Sequence, residues 1–154
     1  MQEDFFPERL IKRFYLFILF LMSITGFGQM PIFKRYYIAD IPGLAWLANF
    51  YFTHYVHYIG AILLFAIFGY CIVGYLLVGR QRFRLTGSAY IRIVLLTAIA
   101  GTGIFRVLKN LPDIVFSPGF TMFVDISHLI FMMIFLLVTA VFLVMKTGWL
   151  TLRQ

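Results

Sequence analysis

Between Phe50 and Val78 the chain reads FYFTHYVHYIGAILLFAIFGYCIVGYLLV, without a single Asp, Glu, Lys or Arg. A bilayer core is crossed by about 20 apolar residues rising 1.5 Å each, and this run exceeds that length. It is too long for a helix buried in a soluble core, so it must cross a membrane, with its first turn or two beyond the hydrocarbon. It also carries His54 and His57, two of the chain's three histidines, near one end of the span. The third, His128, lies a comparable distance into another apolar run, FTMFVDISHLIFMMIFLLVTAVFLVM.

Composition extends this reading to the whole chain. Only 12% of the 154 residues are charged, against about 25% in a soluble domain, and the mean hydropathy is +0.94. An all-α integral membrane protein is expected, a four-transmembrane-helix bundle forming one membrane domain over residues 1–154. The net charge of +7 is then explained by basic loops, and no tract of interleaved basic and aromatic residues points to nucleic acid. The one cysteine, Cys71, has no partner for an intrachain disulfide, and no CxxCH is present to attach a c-type haem. Acidic residues precede the basic ones in MQEDFFPERLIKRFYLF, so the first apolar run is expected to be a retained span and not a cleaved signal.

Four spans are expected, over about residues 14–33, 48–78, 89–108 and 120–145. Gly-Arg-Gln-Arg-Phe-Arg (79–84) reads as a charged turn, and Pro112 and Pro118 punctuate the last connection. No internal repeat is visible. One face receives Arg9, Lys12, Arg13, Arg80, Arg82, Arg84, Arg92, Lys146 and Arg153, and the other Lys34, Arg35, Arg106 and Lys109. Nine against four puts both termini in the cytoplasm, so spans two and four both begin outside. His57 and His128 then share a depth of roughly 10 to 13 Å below the outer surface. Tyr36, Tyr37, Trp46, Tyr51 and Tyr55 supply an outer aromatic belt.

An intramembrane histidine is costly and marks function by default, and neutral imidazole is a common axial ligand of b-type haem. A flat macrocycle needs thin helices beside the ligands. Gly26, Gly60 and Gly103 fall near the histidines' depth, while Arg106, Lys109, Lys34 and Arg35 lie just above, where haem propionates need cations. The competing reading is that these glycines serve helix packing and that each histidine is a satisfied core group. His54, about 60° from His57 around the helix, is the alternate ligand; otherwise it bonds at the rim, receives a quinol proton or sits in the interface. Asp125 either orients an imidazole, accepts a proton or is a solvated interfacial carboxylate. Arg92 reads as a snorkelling boundary residue, and Cys71, Met132 and Met133 as filler. No hydrolase triad, phosphate loop or zinc motif occurs.

Four spans, inner termini, Thr-Gly near the outer ends of spans one and three and early histidines in spans two and four resemble a known family. They are similar to the cytochrome b membrane (gamma) subunits of respiratory formate dehydrogenases and nickel–iron hydrogenases, and to bacterial cytochrome b561-like proteins. The resemblance implies that His57 and His128 are the iron ligands of an outer haem. It also implies an iron–sulfur partner outside and quinone near the inner face. In that family a second haem takes histidines near the start of span one and late in span four. Here those regions, Lys12-Arg13-Phe14-Tyr15 and Val138 to Met145, hold none, so the inner haem is expected to be absent.

The expectation is a membrane-anchoring electron-transfer subunit in a prokaryotic-type inner membrane. One noncovalent haem b would relay electrons between an outer iron–sulfur or cytochrome subunit and quinone, with the catalytic centre on another chain. The alternative is a haem-free structural anchor of such a complex. A small transporter ranks lower, because the spans lack paired acids and bases in their middle thirds.

Overall fold

The computed structural model describes residues 8–30 and 37–153. The end of the first expected span at Pro31 to Phe33, together with Lys34, Arg35 and Tyr36, lies outside the described residues, as does the Arg9 side chain. Among the described residues, four helices are long and apolar enough to cross a membrane: Leu10–Gly28, Phe50–Arg82, Gly87–Leu108 and Pro118–Val144. At most 11% of the residues in any of their most apolar stretches is buried within the chain. Side chains this apolar and this exposed need lipid, or other membrane helices, around them.

The elements are α1 (Glu8–Gly28), α2 (Phe50–Gly74), β1 (Phe83–Leu85), α3 (Gly87–Leu108), α4 (Pro118–Val144) and β2 (Leu150–Leu152). Short 3-10 turns at Ile38–Asp40 and Ala45–Ala48 lead into α2. A π-helical turn at Tyr75–Gly79 and a last turn at Arg80–Arg82 carry helical backbone beyond α2. Helix starts follow their caps. Asn49 Oδ1 accepts from Phe52 N–H (3.1 Å), Thr86 Oγ1 from Ala89 N–H (3.1 Å) and Ser117 Oγ from Phe120 N–H (3.3 Å), with Pro118 opening α4. Each side-chain oxygen satisfies an amide the helix cannot.

The chain divides into two compact units, residues 1–80 and 81–154. In the first, α1 packs antiparallel on α2. Ile18 is buried there, and Leu47 closes over Gly28, where a Cβ would come 3.0 Å from the Leu47 carbonyl oxygen. In the second unit α3 packs antiparallel on α4 around Ala89, Leu96, Val124 and Phe135. Lys146 ends α4 in the left-handed region (φ 54), the Lys146 and Thr147 amides bonding back to the Leu143 and Phe142 carbonyls. This glycine-type helix stop turns the chain back so that β2 pairs antiparallel with β1.

Two expectations are corrected. Residues 79–84 are not a turn: helix persists to Arg82 and a strand begins at Phe83. Arg92 does not snorkel. It is 4% exposed, its guanidinium lying 4.9 Å from the Phe142 ring centre and 5.0 Å from that of Trp149, with Nη2 donating to the Thr147 carbonyl at 3.1 Å.

Candidate functional site

In the first unit Thr25 is fully buried, and its hydroxyl lies 2.8 Å from the Leu21 carbonyl oxygen and 3.2 Å from that of Met22. A hydroxyl has one proton to give. With that proton turned back along α1, Thr25 Oγ1 is left to accept from His57 Nδ1–H, 3.1 Å away on α2. The bond selects the tautomer with its lone pair on Nε2, the arrangement a metal-ligating imidazole needs.

The second unit repeats the device. The Thr102 hydroxyl lies 2.8 Å from the Ala98 carbonyl oxygen and 3.0 Å from that of Ile99, and its oxygen accepts from His128 Nδ1–H at 3.0 Å. The glycine after each threonine flanks the ring. A Cβ on Gly26 would stand 3.4 Å from His57 Cε1, and one on Gly103 would stand 3.4 Å from His128 Cε1. One turn nearer the connecting loop a second layer also corresponds, formed by the residue four after the threonine and the residue three before the histidine. In the first unit Gln29 Nε2 donates to the Thr25 carbonyl (3.3 Å), which turns Oε1 toward His54 Nδ1 at 3.4 Å. In the second unit Arg106 Nε stands 3.0 Å from Asp125 Oδ1, and Lys109 Nζ reaches both Asp125 oxygens at 2.8 and 2.7 Å. The chain therefore does carry an internal repeat, a helical hairpin with a Thr-Gly/His clasp, contrary to the reading of the sequence.

The expected residues thus divide. His57 and Gly26 meet in one unit, and His128, Gly103 and Arg106 gather in the other. Gly60 is a contact for α1, since a Cβ there would fall 2.7 Å from Met22 Cγ. His54 is held by Gln29 and lies between the rings of Phe50 (5.2 Å) and Tyr58 (4.2 Å). Asp125 is ion-paired to two cations and is not simply solvated. The sequence offers the Thr-Gly pairs as part of the resemblance but gives the threonine hydroxyls, and Gln29, no role; their bonds to the histidines emerge only in the structure.

No group of three or more His, Cys, Asp or Glu side chains suited to a bare metal ion occurs among the described residues. Each unit instead presents one imidazole held at Nδ1 by a threonine, with a glycine beside the ring. No family model matches the chain, nor does any curated protein or solved structure.

Proposed function

We propose that the chain is a membrane-anchoring electron-transfer subunit holding one noncovalent haem b, with His57 and His128 as axial ligands. The observation that carries the reading is the duplicated Thr Oγ1···His Nδ1 bond, at 3.1 Å in one unit and 3.0 Å in the other. A histidine placed only to fill a span has no need of a fixed tautomer. Two on separate hairpins, oriented by the same residue type in the same register, share a task.

Bound there, haem supplies a one-electron relay. The protein's part is to hold its imidazoles neutral, aim their Nε2 lone pairs and raise their basicity through the Nδ1–H bond. Gly26 and Gly103 leave room beside the imidazoles, and Arg106, paired with Asp125, would share its guanidinium with a propionate. Electrons would pass between an iron–sulfur or cytochrome subunit outside and membrane quinone, with bond chemistry on the partner chain. The distribution of basic loops supports an inner membrane of prokaryotic type with both termini in the cytoplasm.

The purified protein should show a reduced b-type absorption band that His57→Ala and His128→Ala each abolish. Bands unchanged in both variants would end the ligand assignment. The second reading, a haem-free anchor, draws on the same bonds as clasps that satisfy buried polar groups. It expects no haem after gentle purification, and assembly that survives loss of both histidines.

A further inference from the structure

Equivalent positions carry a neutral pair in one hairpin and a charged cluster in the other. In the first unit the residue four after the clasp threonine is Gln29 and the residue three before the histidine is His54. Their contact at 3.4 Å joins α1 to α2 without an ion pair. The second unit places Arg106 and Asp125 at these positions and adds Lys109. Charge in a membrane span is expensive, so a charged layer where a neutral one serves asks for a use beyond closing the hairpin.

The cluster is unevenly built. Two cations meet one carboxylate, and Asp113, the other acid of residues 81–154, takes part in neither ion pair. Lys109 Nζ donates to both Asp125 oxygens, at 2.8 and 2.7 Å. Arg106 approaches as an ion pair, its Nε 3.0 Å from Oδ1. The Arg106 side chain is 34% exposed and that of Lys109 24%, so Arg106 is the more loosely held and the more accessible cation. Its guanidinium has five N–H donors in a planar fork that matches a carboxylate, and one close approach does not exhaust them. Arg106 lies four residues after Thr102 and Asp125 three before His128, which sets the cluster one helical turn, about 5.4 Å, from the histidine clasp.

We propose that Asp125 is an internal counter-ion, which stays on Lys109 and yields Arg106 to a carboxylate of the cofactor. The inference rests on the haem reading above and adds the residue that sets the balance between loaded and empty chain. In the empty chain Asp125 compensates two cations at the ends of apolar helices. On loading, the incoming carboxylate supplies the negative charge the cluster lacks. Affinity is lowered meanwhile, because two carboxylates compete for one guanidinium and repel each other. Repulsion between like charges a few ångströms apart outweighs the return from one orienting contact, so competition decides the sign.

The test titrates the haem-free full chain, in phosphatidylcholine nanodiscs, with haemin and with haemin dimethyl ester, whose carboxylates are blocked. Asp125→Asn is expected to raise haemin affinity roughly fivefold and to leave ester affinity unchanged, while the unfolding midpoint of the empty chain falls. Arg106→Gln, which leaves the Lys109–Asp125 pair in place, should erase the parent's preference for haemin over the ester. The proposal is overturned if Asp125→Asn binds haemin no more tightly than the parent, or if it gains equally for the ester, the effect being then one of packing. An undiminished preference in Arg106→Gln overturns it as well. In these cases ester binding that His128→Ala abolishes leaves the ligand assignment standing. If neither porphyrin binds the parent, the haem reading falls and this proposal with it.

Discussion

At the scale of single residues, the threonines decide more than their size suggests. Each spends its proton on its own helix and offers only an acceptor to the histidine across the hairpin. Thr25→Val and Thr102→Val keep the shape and remove that acceptor. Each is expected to lower haem affinity at least about tenfold, the usual cost of losing a partner that orients a metal-bound histidine, while serine at either position restores it. Haem titration of the purified variants reads the effect, and affinities equal to the parent's would show that the bond orients nothing. Gly60 separates packing from ligation. Gly60→Ala puts a carbon 2.7 Å from Met22 Cγ, so Met22 must move, at a cost of about 1–3 kcal/mol for overpacking. A lower unfolding midpoint with an unaltered haem spectrum is expected, and Met22→Ala in the same chain should recover stability. A changed spectrum would return Gly60 to the cofactor.

Hairpins and their ends show what the sequence made legible. Span number and approximate length follow from hydropathy, because apolar runs of this length have one stable form in lipid. The matching clasps did not show, because Thr25 and His57 are 32 residues apart and Thr102 and His128 only 26. A repeat carried by a few contact residues across loops of unequal length leaves no fixed period. Residues 83–85 were hidden for a related reason. Three residues are too short to display alternation, and their partner strand lies near the far end of the chain. Arg92 was misread because Phe142, Thr147 and Trp149, which bury it, are distant in sequence and reach it only once the left-handed Lys146 reverses the backbone. Arg92→Ala removes two ring contacts and a carbonyl bond at once. A loss on the order of 2 kcal/mol is expected, together with faster amide exchange at Leu150–Leu152 as the ribbon comes free. Unaltered exchange there would mean that the β pairing holds without the arginine.

For the whole molecule, the repeat makes the cofactor stoichiometry a discriminating quantity. Each hairpin contributes one oriented imidazole, and a haem taking two axial histidines must draw on both hairpins of a chain or on more than one chain. The proposed assignment requires one haem per chain and all-or-none behaviour: His57→Ala and His128→Ala each empty the site, and the double variant loses nothing more. Were each hairpin instead to pair with its equivalent in another copy, a single substitution would leave the other pairing intact and about half of the haem bound. Iron and protein quantified in the same monodisperse sample distinguish these outcomes without any turnover assay. A half-occupied single variant would relocate both ligands to an interface between copies, while the clasps that hold each imidazole would stand as described. No iron in the parent, with the assembly intact, would leave the clasps as pins between α1 and α2 and between α3 and α4. The tautomer shared by the two hairpins would then be a by-product of satisfying buried polar groups in lipid.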